Sequence, residues 1–183
     1  MSFLLEFIKN PCRIGAVAPS GRHLSQKMIS PIDFRNAKVI IEFGPGTGAF
    51  TKKLIANRNP DTVLLLIEQN PQFCAQLREK FSDEKNVHII HGFAQDVNRY
   101  LRHYGFTGAD YIVSGLPFTS LTKGVSDRIL TAARTALGSS GQFITFQYSM
   151  VKRRYFEQYF RISDSRREMR NLPPAYVLVM ENN

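Results

Sequence analysis

Short apolar runs alternate with stretches of helical periodicity along most of this chain. The first run, Lys38 to Phe43, is rich in β-branched residues and leads into glycines, and Ala49 to Ala56 then has the apolar spacing of a helix. A second run, Val63 to Ile67, ends at Glu68, and a helix is predicted over 71–81 with a proline in its first turn. These segments predict two successive strand, loop and helix units.

The same alternation continues downstream. Three more short apolar runs are separated by two stretches with helical spacing. The runs are Val87 to Ile90, Tyr111 to Val113 and Phe143 to Phe146, and the helical stretches lie near Val97 to Tyr104 and Thr122 to Leu137. Strands that alternate with helices predict an α/β domain with a parallel sheet.

The pattern changes at both ends of this region. After Tyr148, a basic segment extends to Arg170, and a strand candidate follows over 175–180, so we expect an antiparallel hairpin at the end of the sheet. Ser20 is placed to cap a short helix that ends near Ile29. A still earlier helix is predicted to have one apolar face, formed by Phe3, Leu4, Phe7 and Ile8.

Length and composition predict one domain over 1–183, with 1–30 as an N-terminal helical cap. A chain of 183 residues with 43% apolar residues can bury one ordinary core. No window approaches the roughly 18 consecutive apolar residues of a membrane span, and a secretory signal is not evident, so we expect a cytoplasmic protein. Cys12 and Cys74 are expected to be free thiols, and neither they nor the four histidines have the spacing of metal ligands.

The formal charge of +9 indicates an anionic partner, either nucleic acid or an acidic lipid surface. Seven basic side chains lie between 152 and 170, interleaved with Tyr155, Phe156, Tyr159 and Phe160. This mixture suits a lipid interface or single-stranded nucleic acid, whereas a solvated face with core aromatics is the commoner explanation. The N-terminal apolar face either anchors the protein to a membrane or packs on the domain.

Glycines at 44, 46 and 48 follow the first strand and allow a ligand to approach the backbone closely. The helix amides beyond Gly48 can hold an anionic group. Glu68 lies 20 residues further on, where an acid that binds ribose is expected. The spacing alone also admits a dinucleotide, but the order of strand, glycines, helix, strand and acid makes a turn without any ligand the weaker interpretation.

Several segments carry a resemblance to a known family. The sequence Glu-Phe-Gly-Pro-Gly-Thr-Gly at 42–48 resembles motif I of class I methyltransferases, and Ile-Glu-Gln-Asn at 67–70 is similar to their ribose-binding acidic segment. Ser-Gly-Leu-Pro-Phe at 114–118 resembles the Asn-Leu-Pro-Phe type of motif of amine methyltransferases. The segments 14–20 and 171–177 are similar to bacterial phospholipid N-methyltransferases, relatives of the rRNA adenine dimethylases.

This resemblance implies a Rossmann-like fold with a seven-stranded, mostly parallel sheet, and S-adenosylmethionine as the methyl donor. The glycine loop would face the methionine part, Glu68 the ribose and the segment 92–94 the adenine, while Ser20 would close over the cofactor. The implied cofactor-binding residues are Ser20, Glu42, Gly44, Gly46, Thr47, Gly48, Glu68, Gln69, Phe93, Ala94 and Ser114. The family usually has Asp where this chain has Phe93, and Gln95 or Asp96 are the candidates to replace its hydrogen bond to adenine.

Methyl transfer from a sulfonium is an in-line displacement, so the enzyme must align a neutral amine with the methyl carbon and exclude water. Carbonyls of the turn at 114–116 are expected to hold the amine, and the Phe118 ring to face the growing positive charge unless it is a core aromatic. The catalytic candidates are therefore Ser114, Gly115, Leu116 and Phe118. The candidates for binding the acceptor are Tyr148, Arg153, Arg166 and Arg167, although Tyr148 also suits a buried structural role.

The leading hypothesis is an N-methyltransferase that acts on a phospholipid head-group amine, of phosphatidylethanolamine type, at the inner membrane surface. The alternatives are an rRNA or tRNA adenine N6-methyltransferase and a non-catalytic module that binds a nucleotide or a membrane. Nucleic acid is the less expected partner, because Ser114 replaces the Asn or Asp of the adenine-specific motif and the helical RNA-binding domain of the dimethylases is not expected here.

Overall fold

The computed structural model describes residues 19–171 and 173–182 of the chain. Within these residues the strands are β1 (Val39–Phe43), β2 (Val63–Glu68), β3 (Val87–His91), β4 (Tyr111–Ser114), β5 (Gln142–Gln147), β6 (Arg161–Glu168) and β7 (Ala175–Glu181). The helices are α1 (Pro19–Ile29), α2 (Ala49–Asn57), α3 (Pro71–Lys80), α4 (Val97–His103), α5 (Lys123–Leu137) and α6 (Arg153–Phe156). Short 3₁₀ turns, Ala94–Asp96 and Met150–Lys152, precede α4 and α6.

The strands form one sheet in the order β3-β2-β1-β4-β5-β7-β6. Strands β1 to β5 are parallel, and β7 runs antiparallel between β5 and β6. All five residues of β1 are buried, as expected for a central parallel strand covered on both faces. The predicted α/β class, with a mostly parallel seven-stranded sheet and an antiparallel C-terminal hairpin, is confirmed.

Strand β6 is the element that the apolar pattern missed. Its sequence, Arg-Ile-Ser-Asp-Ser-Arg-Arg-Glu, alternates exposed and partly buried positions and contains one aliphatic residue. A polar strand of this kind is typical of the edge of a sheet, where charged side chains prevent pairing with another chain. The segment therefore appeared in the sequence only as a basic region.

Helices cover both faces of the sheet. On one face, Leu24 and Met28 of α1 and Leu54 of α2 pack on the strands. On the other face, α4, α5 and α6 bury a second cluster that includes Leu130 and Phe156. The order of strands reverses between β1 and β4, and open sheets of this type bind ligands at that point, beyond the carboxyl ends of the strands.

The start of α3 shows how local sequence positions the loop after β2. The Asn70 side chain accepts hydrogen bonds from the backbone N–H groups of Gln72 and Phe73, and Pro71 occupies the first helical position. A cap of this kind stabilises a helix by about 1 kcal/mol. Because the helix begins so soon after β2, Glu68 is held at the carboxyl edge of the sheet.

Some sequence-based expectations fall on residues outside the described part. The predicted helix with Phe3, Leu4, Phe7 and Ile8 lies there, as does Cys12. Ser20 lies within α1, and its side chain is not among those described. Cys74 is a buried free thiol. Across residues 19–171 and 173–182, no helix is long and apolar enough to cross a membrane, and no group of three or more His, Cys, Asp or Glu side chains is arranged to hold a metal ion.

Candidate active site

The glycine loop after β1 lies beside the end of β2 and is held by Glu68. One carboxylate oxygen of Glu68 accepts a hydrogen bond from Gly46 N at 3.1 Å, and the other accepts one from Asn70 N at 2.9 Å. Glu68 is buried, with 6% of the residue exposed. Since each carboxylate oxygen has a second lone pair, Glu68 can support the loop and still accept hydroxyl hydrogen bonds from a ribose.

The glycines of the loop have different surroundings, although all have positive φ, at 65° for Gly44, 54° for Gly46 and 83° for Gly48. A Cβ on Gly44 would lie 2.8 Å from Leu116 Cδ2, and one on Gly48 would lie 3.0 Å from Phe81 Cε2. A Cβ on Gly46 would have nothing within 4 Å. Gly44 and Gly48 therefore permit close internal packing, whereas Gly46 borders open space that a ligand can enter.

Glu42 is a fully buried carboxylic acid behind this loop. Its Oε2 accepts a hydrogen bond from Thr51 Oγ1 at 2.7 Å, while Oε1 has no partner among the described residues. Burial raises the pKa of Glu42 from an ordinary value of 4.5 to about 8; the Thr51 hydrogen bond opposes this shift, and the charge of Glu68 adds to it. A buried acceptor without a partner fits a ligand that brings its own donor, such as the ammonium group of a methionine moiety.

The segment 114–118 follows β4 and contacts the glycine loop directly. The Leu116 side chain packs over Gly44, and a Cβ on Gly115 would lie 2.9 Å from Gly44 O. The Ser114 carbonyl accepts a hydrogen bond from Thr145 Oγ1 at 3.2 Å, and the Leu116 carbonyl accepts one from Phe118 N at 3.0 Å. Among the described residues none donates to the Gly115 carbonyl, whereas the Ser114 and Leu116 carbonyls each accept a hydrogen bond.

The structure corrects the expectation for Phe118. Its side chain is 0% exposed, and its ring makes edge contacts with Phe143 and Phe156, at centroid distances of 6.3 and 5.3 Å. Burial among aromatic rings fixes Phe118 in the core beneath α5 and α6. The alternative interpretation, a turn followed by a core aromatic, is the one that the structure supports.

Another row of aromatic side chains lies beside Gly115. Phe50 Cε2 is 3.7 Å from the position of a Cβ on Gly115. The Phe50 and Phe146 rings are 5.9 Å apart, and the Phe146 and Tyr148 rings are 5.5 Å apart, both in edge contact. All three side chains of this row are partly buried, and burial raises the pKa of Tyr148. The spacing of Phe146 and Tyr148 places them on one face of an extended chain, but nothing local in the sequence indicated Phe50.

The segment after β3 places the remaining predicted cofactor residues. Phe93 is 57% exposed, and Ala94 packs against the core. Gln95 Oε1 accepts a hydrogen bond from Arg128 Nε at 3.2 Å, and Asp96 pairs with Arg99 at 3.8 Å. Both candidates to replace the usual Asp are thus engaged by arginines, which leaves an exposed aromatic ring at the adenine position implied by the resemblance.

Two further predicted residues also lie at this edge. Gln69 is exposed, and its backbone carbonyl is 3.1 Å from His91 Nε2. The Thr47 carbonyl accepts a hydrogen bond from Lys80 Nζ at 2.8 Å. The loops after β1 and β2 are therefore connected to the neighbouring strand and helix by side chains that contact their backbone carbonyls.

We expect Phe93→Asp to increase discrimination for the adenine amino group. A carboxylate can accept a hydrogen bond from that group, whereas a phenyl ring offers only contact with the base. Calorimetry measures the ratio of the affinity for S-adenosylhomocysteine to the affinity for its N6-dimethyl analogue. This ratio should be about tenfold higher in Phe93→Asp than in wild type. An unchanged ratio in Phe93→Asp, with Phe93→Leu as the apolar control, would contradict this placement.

The aromatic side chains of the basic segment pack in the protein, in agreement with the commoner explanation, a solvated face with core aromatics. Phe156 and Phe160 are core residues at 0% exposure. The Tyr155 and Tyr159 hydroxyls donate to Asp127 Oδ1 at 2.6 and 2.7 Å. These two hydrogen bonds and that of Lys123 hold the pKa of the Asp127 carboxyl well below its usual range. The interleaved aromatics therefore attach the chain around α6 to α5.

The three arginines that were predicted to bind the acceptor lie in α6, for Arg153, and in β6, for Arg166 and Arg167. Arg153 pairs with Glu157 at 2.9 Å, and Arg166 contacts both Asp164 and Ser30. The Arg167 guanidinium lies 5.4 Å from the centre of the Tyr176 ring. Within the described residues, Arg167 is the one of the three without a carboxylate partner.

This sheet order, with a glycine loop after β1 and an acid at the end of β2, defines the class of S-adenosylmethionine-dependent methyltransferases with a Rossmann-like fold. The sequence model of the ribosomal RNA adenine dimethylase family matches residues 21–155. The chain belongs to this family of methyltransferases. It is accordingly an enzyme that uses S-adenosylmethionine, and the alternative of a non-catalytic module is not supported.

Similar proteins include both lipid and RNA methyltransferases. An ornithine lipid N-methyltransferase from Singulisphaera acidiphila is 34% identical over 178 residues, which cover 94% of this chain and 91% of that protein. A ribosomal RNA small subunit methyltransferase A from Sulfurihydrogenibium sp. is also 34% identical, but over 93 residues that cover 51% of this chain and 35% of that protein. The longer similarity extends over nearly the whole of both proteins.

Solved structures with the same fold are more distant in sequence. The N-methyltransferase NodS from Bradyrhizobium japonicum WM9, in complex with S-adenosyl-L-homocysteine, has a TM-score of 0.71 at 13% identity, and the match covers 94% of this chain and 92% of that one. TrmN from Thermus thermophilus has a TM-score of 0.72 at 16% identity, with 87% and 48% covered. Both confirm the Rossmann-like methyltransferase fold.

Proposed function

We propose that this N-methyltransferase acts on the amine of a membrane lipid head group. The observation that carries the proposal is the similarity over 94% of the chain to a protein named as an ornithine lipid N-methyltransferase. Phosphatidylethanolamine and an ornithine lipid share the feature that matters, a primary amine on a polar head group. The reaction would take place at the inner surface of a membrane, with an anionic lipid surface as partner.

The proposed cofactor site combines the loops after β1, β2 and β3. Glu42 Oε1, which lacks a partner in the described residues, accepts the ammonium of the methionine part, and Gly44, Gly46, Thr47 and Gly48 surround it. Glu68 accepts the ribose hydroxyls, and Gln69, Phe93 and Ala94 lie at the adenine. Ser20 and Ser114 complete the proposed set, with Ser114 below the transferred methyl group at the end of β4.

The proposed catalytic role of the protein is to orient the amine. S-adenosylmethionine would supply a methyl group on a sulfonium; the amine, after losing a proton to solvent, would attack the methyl carbon in line as the S–CH₃ bond breaks and S-adenosylhomocysteine leaves. The Gly115 carbonyl accepts an N–H of the amine and directs the lone pair, while Leu116 closes the site over Gly44. Phe50, Phe146 and Tyr148 face the positive charge that develops on nitrogen, an attraction worth about 0.5 to 2 kcal/mol.

The proposal treats residues 1–183 as one catalytic domain, with 1–30 as its N-terminal cap. The described part of this cap, α1, packs Leu24 and Met28 on the sheet. A salt bridge connects α1 to the edge strand, since Lys27 Nζ is 3.2 Å from a carboxylate oxygen of Glu168.

A methyl-transfer assay tests this function. We expect labelled methyl groups from S-adenosylmethionine to enter vesicles that contain phosphatidylethanolamine or an ornithine lipid, and thin-layer chromatography of the extracted lipids distinguishes the two acceptors. Vesicles of phosphatidylcholine alone, which has no free N–H, are the matched negative control. Label in an rRNA or tRNA fragment and in neither lipid would replace the proposal by the second candidate function.

The second candidate, adenine N6-methylation of rRNA or tRNA, is favoured by the family match over residues 21–155. Ser114 argues against this second candidate. Its hydroxyl accepts a hydrogen bond from Leu116 N at 3.3 Å, and its side chain is 0% exposed. No amide or carboxylate is present there to accept an N–H of adenine. The lipid amine is therefore the acceptor that we propose first.

A further inference from the structure

Three large apolar side chains are strongly exposed in the described part of the chain: Phe93 at 57%, Val151 at 83% and Met169 at 59%. Single exposed apolar residues are ordinary on protein surfaces. These three, however, all lie in the segments that follow the carboxyl ends of β3, β5 and β6. Phe93 adjoins the proposed adenine position. The proposed cofactor site does not explain why Val151 and Met169 are exposed.

Val151 and Met169 follow two strand ends that are close together. Strands β5 and β6 run in the same direction because each is antiparallel to β7. Gln147 and Arg167 both lie opposite Tyr176, so they form one row across the sheet. With neighbouring strands about 4.8 Å apart, the two ends are separated by about 10 Å. Val151 comes four residues after the end of β5, and Met169 comes directly after β6.

Cationic side chains adjoin both apolar positions in the sequence. Lys152, Arg153 and Arg154 follow Val151 in the chain, and Arg170 follows Met169. Arg154 and Arg170 are exposed and have no carboxylate partner within residues 19–171 and 173–182. The nearest acid in sequence to Met169, Glu168, is buried and pairs with Lys27. The two segments that carry the exposed apolar side chains therefore have excess positive charge.

We propose that this surface, formed by Val151, Met169, Arg154 and Arg170, docks on an anionic phospholipid bilayer. The two apolar side chains enter the head-group region, and the two arginines contact lipid phosphates. Strand β5 pairs with β4, so the segment 114–118 follows the strand next to β5, at the same edge of the sheet as the proposed docking surface. The role of docking, which is to bring the active site to its lipid substrate, rests on the proposed function. Membrane binding itself can be measured without catalysis.

Sedimentation with vesicles tests the docking surface. The vesicles contain phosphatidylcholine and phosphatidylglycerol at 70:30 and no amine acceptor. We expect Val151→Ser/Met169→Ser and Arg154→Glu/Arg170→Glu each to lower the partition coefficient at least tenfold. The matched control is Lys85→Glu/Arg134→Glu, which makes the same change in net charge at exposed positions near the amino ends of β3 and β5. Its binding should stay within about threefold of wild type at 150 mM salt.

Several outcomes would overturn the proposal. One is an equal loss of vesicle binding in the control variant, and another is no loss in the serine variant. A third is that wild type binds no vesicles but binds an RNA hairpin, and that Arg154→Glu/Arg170→Glu abolishes the RNA binding. Methylation of a dispersed short-chain aminolipid separates the two proposals. If wild type binds vesicles but methylates no aminolipid, the proposed function fails and docking stands; if it methylates the dispersed lipid but binds no vesicles, docking fails.

Discussion

Gly46→Val is expected to abolish S-adenosylmethionine binding and leave the fold largely intact. The wild-type structure has nothing within 4 Å of a Cβ at this position, so the added Cβ meets no protein atom and the side chain extends into the space that we propose for the cofactor. The φ of +54° costs a branched residue about 1 to 2 kcal/mol of stability. We expect the affinity for S-adenosylhomocysteine, measured by calorimetry, to fall at least 100-fold, which corresponds to roughly 3 kcal/mol.

Gly105→Val is the matched control for this variant. Gly105 has a φ of +80°, and a Cβ at this position would equally have nothing within 4 Å, but the residue follows α4 near the amino end of β4. It should show a similar loss of stability and unchanged affinity. If Gly46→Val bound the cofactor as wild type does, the placement of the methionine part beside Gly46 would be refuted.

Glu42→Gln is expected to remove a large pH dependence from folding stability. The folded pKa of about 8 lies above the ordinary value of 4.5, so the folded state holds this proton more tightly than the unfolded chain does. Its stabilising contribution is complete below pH 4.5 and is lost as the pH rises through about 8. The shift corresponds to a loss on the order of 5 kcal/mol across this window.

Urea denaturation at several pH values measures this effect. The free energy of unfolding of wild type, minus that of Glu42→Gln, should decrease as the pH rises from 5 to about 8.5. The glutamine keeps an acceptor for the Thr51 hydroxyl and cannot ionise, so it isolates the titration of the carboxyl group. A difference that stays constant across the range would show that burial does not raise the pKa of Glu42.

Cofactor binding should show the same titration. An ammonium group beside Oε1 favours the ionised form of Glu42, so binding to wild type releases a proton below pH 8. Calorimetry in two buffers that differ in ionisation enthalpy measures the released proton. Glu42→Gln should release fewer protons when it binds the cofactor, and it should bind the cofactor more weakly. The amino group of the ligand titrates equally with both proteins, so it does not contribute to the difference in proton release. Equal proton release by the two proteins would contradict the contact between Glu42 and the ammonium.

The sequence alone determined the parallel part of the sheet, its order of strands and helices along the chain, and the class of cofactor. Strands β1 to β5 and helices α2 to α5 were predictable because their apolar periodicity and end signals are local. The glycines and Glu68 were equally clear, since a ligand at a strand end requires particular residue types at fixed spacing. Resemblance, and not periodicity, supplied the methyl donor.

The tertiary structure decided which side chains meet. It turned Phe118 into the core, placed Phe50 beside Gly115, packed Leu116 over Gly44 and paired the polar segment at 161–168 as an edge strand. These contacts join residues from separate elements, and they depend on how helices pack on the two faces of the sheet. A local pattern records whether a side chain is apolar and how its backbone repeats, but only the packed chain determines which face it enters and what it touches there.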